Sequence, residues 1–116
     1  MHEISLVRNI FRSLKEEFDP QQITSLKNIH IKVGELSNIE PQLMHNAYQA
    51  VTATDFPEFK EVELSIEKLG IKINCLMCNH VTEIQQYKFI CENCGRPSKE
   101  IIQGDEMLIS GVDFYE

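Results

Sequence analysis

Apolar residues recur at spacings of three and four near the start of the chain: Ile4, Val7, Ile10, Phe11, Leu14 and Phe18. That period predicts a helix over residues 4–18 with one buried face, and Arg8, Arg12, Lys15 and Glu16 fall largely off it. Asp19-Pro20 is expected to end the helix, because the proline ring disfavours helical backbone in the residue before it. Strict alternation follows over residues 28–34, with Ile29, Ile31 and Val33 against Asn28, His30 and Lys32, and this predicts a half-buried strand left at Gly34. A second helix is expected from Pro41 to about Thr54. Proline suits a first helical position, whose N–H has no partner in any case, and Leu43, Met44, Ala47, Tyr48 and Val51 are the expected buried stripe. Val62, Leu64 and Ile66 alternate with Glu61, Glu63, Ser65 and Glu67 over residues 61–68, the pattern of a strand with one wet face. Met107 to Tyr115 is also strand-like, with Gly111 a weak point and a candidate bulge.

Residues 70–104 differ in composition, with all four cysteines, Asn74, Asn79, Asn93, Gly95 and Pro97. The expected organisation is an α/β core of residues 1–69 plus 105–116 with a metal-knuckle unit, residues 70–104, inserted between its last two strands. The fold class is therefore α+β, a small mixed sheet packed by two helices with an inserted four-cysteine, zinc-ribbon-like domain.

Composition narrows the partners. The chain has 116 residues and 42% hydrophobic residues, enough for a modest core and too many for a disordered chain. The formal charge of -7 repels a phosphate backbone, which argues against nucleic acid; ordinary solubility is the simplest use of such a charge. No basic start followed by an apolar run is visible, and no apolar stretch approaches the roughly 20 residues of a membrane helix. The expected compartment is the cytosol, where thiols stay reduced and paired cysteines bind metal rather than each other.

Those cysteines stand as Cys75-x-x-Cys78, twelve residues, then Cys91-x-x-Cys94. Two intervening residues let both sulfurs of a pair converge on one ion from a tight turn, and two such turns complete a tetrahedron. Gly95 and Asn79 follow the two pairs, and these residue types tolerate the left-handed backbone that closes a knuckle. Zinc is the expected ion. Two disulfides, a redox CxxC and a four-thiolate iron site are the competing readings. Lys72, Lys88, Arg96 and Lys99 lie close in sequence, either to offset the roughly -2 charge of a zinc tetrathiolate or as a solvated surface. His80 is read as an exposed histidine, with a thiolate hydrogen bond or ligand exchange as the alternative. With four protein ligands the ion has no open position, so the site supports folding rather than hydrolysis.

A second chelating set lies at the start. The α-amine of Met1, the amide nitrogen of His2 and its imidazole can close fused small rings on one ion, and an ionised amide favours the in-plane nitrogens that Ni(II) and Cu(II) prefer. Glu3 can add an oxygen. By chemistry alone a histidine at position 2 has no necessary role, and both readings stay open at that level. No Ser/His/Asp set, phosphate-cradling glycine loop or open zinc site is visible, so a non-enzymatic role is expected.

Both metal features occur together in one known family. The chain resembles the HypA family of nickel metallochaperones for NiFe-hydrogenase maturation. The resemblance runs through Met1-His2-Glu3, Ser5-Leu6, Val33-Gly34-Glu35-Leu36-Ser37, Glu40-Pro41, Ala47-Tyr48, the two CxxC pairs and Gly104-Asp105-Glu106-Met107-Leu108. It implies nickel bound at the N-terminus with His2 as essential ligand and backbone nitrogens assisting, zinc at Cys75, Cys78, Cys91 and Cys94, a partner GTPase, and docking on the hydrogenase large subunit. Some members also serve urease. Met1 and Glu3 are the accompanying nickel-site candidates, with partner docking the alternative role for Glu3; Glu40, Glu35, Ser37, His30 and His45 are read as helix-start, turn and surface residues. The segment Asp19–Ser25 is less basic than is common in that family, which bears on the partner surface. Monomer and homodimer are both compatible with the sequence. The rival readings are a zinc-ribbon interaction module without a second metal and a rubredoxin-like electron carrier.

Overall fold

The computed structural model describes residues 2–115, and of His2 the main chain alone. Helix α1 spans His2–Glu17, α2 Pro20–Thr24 and α3 Pro41–Thr54. Strands β1 (Leu26–Gly34), β2 (Glu63–Leu69) and β6 (Met107–Phe114) form one sheet in the order β2-β1-β6. Strands β3 (Ile71–Asn74), β4 (Val81–Ile84) and β5 (Glu100–Gln103) form a second sheet in the order β4-β3-β5. The mixed helix-and-sheet class expected from the sequence is present. The chain divides into two compact units: Met1–Ile31 with Ile39–Ile66 and Ile109–Glu116, and Lys32–Asn38 with Glu67–Leu108.

In the first unit, Val7, Ile10, Phe11 and Leu14 of α1 are buried as the periodicity predicts, and α1 packs on α3. Phe11 stacks on Phe59 at 4.1 Å and meets the edge of Tyr48 at 5.4 Å. The Tyr48 hydroxyl hydrogen is shared between the carbonyls of Phe59, at 2.6 Å, and Val62. Burial pushes that phenol well above its ordinary pKa, so it stays a donor.

Three expectations need correction. Leu43 is 44% exposed, and Thr52 takes its place in the buried stripe of α3. At roughly 100° per residue, Leu43 and Thr52 each lie about 90° from the centre of the Met44–Ala47–Tyr48–Val51 face, on opposite margins of it, so the helical period does not choose between them. Thr52 is tolerated because its hydroxyl donates to the Tyr48 carbonyl at 2.8 Å. Phe18 falls beyond the last turn of α1, half-buried against Phe114 at 5.3 Å. The chain also re-enters a helix directly after Asp19: the Asp19 carboxylate accepts from the Gln22 amide at 2.8 Å, and the Gln22 side chain accepts from the Asp19 amide at 2.9 Å. This capping box, with proline next to its cap, is a helix-start signal that the sequence reading took only as a stop.

In the second unit, Ile71 and Ile73 of β3 and Ile84 of β4 form a small core, with Leu36, Phe89 and Ile101 packed against it. Ile71 stands opposite Ile84 and Ile73 opposite both Thr82 and Ile101. A backbone clasp completes it: the amide of Gly34 donates to the Glu106 carbonyl at 2.7 Å and that of Leu36 to the Gly104 carbonyl at 2.6 Å. The Glu106 carboxylate accepts from the Gly104 amide at 2.7 Å. Gly34 is required by proximity, since a β-carbon there would lie 2.1 Å from the carbonyl carbon and oxygen of Gly104.

Candidate metal centre

Two knuckles with the same internal hydrogen bonding bring the cysteines together. In the first, the Cys75 amide donates to the His80 carbonyl at 3.0 Å and the Asn79 amide to the Cys75 carbonyl at 2.8 Å. In the second, the Cys91 amide donates to the Arg96 carbonyl at 2.8 Å and the Gly95 amide to the Cys91 carbonyl at 2.9 Å. The equivalent residues Asn79 and Gly95 take positive φ, 60° and 76°, as their side chains suggested. Strand β3 delivers the first knuckle, while the isolated bridge between Ile90 and Pro97 closes the second.

The four sulfurs lie within 4.8 Å of one another. Cys75 and Cys94 are 3.5 Å apart, Cys78 and Cys91 3.7 Å. A disulfide needs about 2.05 Å, so neither pairing is covalent, and all four are free. A regular tetrahedron with metal–sulfur distances of about 2.3 Å has edges of roughly 3.8 Å, which these separations approach. The donor set therefore fits one tetrahedral thiophilic ion.

The local amides prepare the thiolates. Those of Cys78 and Met77 hold the Cys75 thiol below its ordinary range. The Cys94 amide, working against burial and joined by that of Asn93, brings Cys91 down to about 6. Cys94 receives the Arg96 amide, but burial and the neighbouring thiols of Cys75, Cys91 and Cys78 outweigh it and push Cys94 up to about 11. The first thiol of each knuckle is thus readied for ionisation, and a dication removes the mutual penalty that holds the last proton.

Residues outside the CxxC pairs build the frame. The Thr82 hydroxyl accepts from the Glu92 amide at 3.1 Å, and the Asn93 side-chain amide points at the Cys78 sulfur, 3.5 Å away. The Ser98 hydroxyl donates to the Asn74 carbonyl at 2.6 Å. A polar residue on the buried face of β4, two before Ile84, was the one visible signal for Thr82. His80 stands with Nε2 3.4 Å from the Glu92 carboxylate. Lys88, Arg96 and Lys99 are exposed and Lys72 half-buried.

At the other candidate site, Glu3 sits in the first turn of α1 and is 7% exposed. Met1 and the His2 side chain lie outside the described residues. Glu40 precedes α3 as its cap residue without a side-chain capping bond. His30 pairs with Asp113 at 2.7 Å, and His45 lines an open groove with Tyr48, Gln49 and Glu63.

The family model described as "Hydrogenase/urease nickel incorporation, metallochaperone, hypA" matches residues 1–114. A hydrogenase maturation factor HypA from Aquifex aeolicus is 27% identical over 113 residues, covering 97% of this chain and 96% of the relative. One from Moorella thermoacetica is 28% identical over 116 residues, covering 100% and 98%. Among solved structures, the solution structure of the Ni metallochaperone HypA from Helicobacter pylori shares the fold, with a TM-score of 0.67, 22% identity and 97% of each chain covered. A second solution structure of a HypA protein gives 0.69 at 25% identity, covering 98% of this chain and 96% of that one.

Proposed function

The chain belongs to the HypA family of hydrogenase/urease nickel-incorporation metallochaperones, and from that membership we propose that it takes up Ni(II) at its amino terminus and hands it on. The ligands in this reading are the α-amine of Met1, the amide nitrogen and imidazole of His2, and the carboxylate of Glu3. The observation that carries it is the match of the family from residue 1, with α1 starting at His2. An amide in the first helical turn has no intrahelical acceptor, so losing its proton to nickel breaks no helix hydrogen bond. The positive end of the helix dipole opposes a cation, and Glu3 in the first turn offsets that opposition. The balance suits a carrier, which must release as well as bind.

Zinc in this reading is held by Cys75, Cys78, Cys91 and Cys94 and organises the residue 70–104 domain; residues 1–69 with 105–116 form the nickel domain. The ion supplies structure and no reactive position. A cytosolic GTPase exchanges nickel with the amino terminus, and the hydrogenase large subunit wins it by offering thiolates, which bind the ion more tightly than imidazole and amide.

Metal stoichiometry of the unblocked, untagged chain tests the reading. One zinc and one nickel per chain are expected. His2→Ala, and a variant with one residue added before Met1, should each lose tight nickel binding while retaining zinc and the far-ultraviolet circular dichroism of the parent. Wild-type nickel affinity in His2→Ala overturns the assignment. Zinc alone in the parent favours a zinc-ribbon interaction module.

A further inference from the structure

The turn between β4 and the second knuckle holds residue types that its backbone does not favour. Gln86 and Tyr87 both take left-handed φ, 56° and 59°, and the Lys88 amide donates to the Gln85 carbonyl at 3.2 Å. A tight turn with two successive positive φ values usually carries Asn-Gly or Asp-Gly. At the other positive-φ positions outside glycine among the described residues, Asn38 and Asn79, the chain uses asparagine, which tolerates that backbone. Tyr87 is 60% exposed, so packing inside the chain does not offset its strain. Strain of this kind persists where a site needs the side chain held in place.

Beside this turn lies an apolar step with a basic rim. The amides of Cys91 and Ser98 donate to the carbonyls of Arg96, at 2.8 Å, and Phe89, at 3.1 Å. They bracket Ile90 and Pro97 as a non-hydrogen-bonded pair, the kind whose side chains stand closest. Phe89 packs inward on the isoleucine core, and Ser98 is buried with its hydroxyl on the Asn74 carbonyl. Ile90, 50% exposed, and Pro97 therefore face out. Lys88, Arg96 and Lys99 flank them along the two segments, all exposed. Among the described residues none of these three cations stands in an ion pair. None reaches a cysteine sulfur either; the side-chain amide that does so is that of Asn93.

We propose that Tyr87, Ile90 and Pro97, rimmed by Lys88, Arg96 and Lys99, dock an acidic segment of a partner protein that presents an apolar side chain between carboxylates. An apolar centre within a polar rim is how protein contacts are built, and tyrosine and arginine are the residues that most often dominate them. Charge selects the partner. Residues 70–104 hold four cations, Lys72, Lys88, Arg96 and Lys99, against three carboxylates, Glu83, Glu92 and Glu100. The rest of the chain holds seven against fifteen. An acidic segment is repelled over most of this chain and admitted here, where a basic one is turned away. The surface lies within the second unit and does not depend on the nickel reading.

Titration of the zinc-loaded, full-length chain with a capped peptide carrying glutamates on both sides of a Leu-Phe pair, followed by amide NMR shifts, tests it. Saturable shifts are expected at residues 87–90 and 96–99, and none with the same peptide made with lysines. Lys88→Glu combined with Lys99→Glu should weaken binding by about tenfold or more, and Ile90→Ser by about fivefold. Both should keep the parent's zinc content. Tyr87→Gly relieves the turn, so it should raise the thermal midpoint and yet weaken binding. If Ile90→Ser fails to fold, the charge reversal and Tyr87→Gly decide. The proposal is overturned by a peptide that gives no saturable shifts or shifts only elsewhere, by binding that survives the charge reversal, or by a Tyr87→Gly midpoint below the parent's. Single-stranded oligothymidine that produces the same shifts at lower concentration than the peptide also overturns it, and assigns the face to nucleic acid.

Discussion

Replacing Gly34 by alanine adds one methyl group where the backbone leaves no room. The new carbon would meet the carbonyl carbon and oxygen of Gly104 at 2.1 Å and the Asp105 amide nitrogen at 2.7 Å. Ordinary carbon contacts begin near 3.5 Å, so the two segments must part by roughly 1.4 Å. All three obstructing atoms are backbone, and no side-chain rotation relieves the overlap. Separation lengthens the Gly34–Glu106 and Leu36–Gly104 hydrogen bonds, now 2.7 and 2.6 Å. Overpacking costs about 1–3 kcal/mol, and two weakened backbone bonds add about 0.5–1.5 kcal/mol each. The alanine recovers about 0.4–1 kcal/mol by restricting the unfolded chain. The expected net loss is about 3 kcal/mol. For 116 residues unfolding together, an entropy of about 2.1 cal/mol/K per residue turns this into a fall in Tm of about 12 °C. Thermal unfolding of zinc-loaded protein, followed by circular dichroism, measures it. Gly70→Ala is the control, because a β-carbon there has no neighbour within 4 Å. A Gly34→Ala midpoint within about 2 °C of the parent would refute the reasoning.

Two further outcomes follow from the cysteine cluster. The isoleucine core of the second unit is small, so removing the metal with a chelator should speed amide exchange in β3, β4 and β5 by roughly two orders of magnitude while α1 and α3 keep their protection; unchanged protection in β3–β5 would show that the metal is dispensable for this fold. In the metal-free chain the Cys91 thiol is lowered to about 6. A lowered folded pKa contributes stability fully above the unfolded value near 8.5, and that contribution fades as pH falls through about 6. Ultraviolet thiolate absorbance should therefore rise through about pH 6 in the metal-free parent, and that step should be missing in Cys91→Ser.

Much of this architecture was legible because the relevant periods are strong. The three-and-four spacing of Val7, Ile10, Phe11 and Leu14 and the alternation of Ile29, Ile31 and Val33 both describe buried faces that the structure shows. The knuckles were legible because positive φ at Asn79 and Gly95 is a local demand of the turn, met by residue types that accept it. The three strands of the second sheet were not legible. Each has four residues, too few for alternation to speak, and their pairing depends on knuckles that close far apart in sequence. The exposure of Leu43 escaped for a related reason: a residue at the margin of a helical stripe is assigned by its neighbours, here the hydroxyl of Thr52. The clasp at Gly34 needed coordinates as well. A glycine with ordinary φ gives no hint that another backbone lies against it.

The two cysteines of each knuckle differ in access: Cys75 and Cys91 are buried, Cys78 and Cys94 exposed. An oxidant or a competing chelator arriving from solvent meets one sulfur from each turn first. Dismantling therefore has an order, with the outer thiolates surrendered while the buried two stay within 4.8 Å of each other. Repair runs the same way in reverse, since the half that remains keeps both turns within reach of an incoming ion.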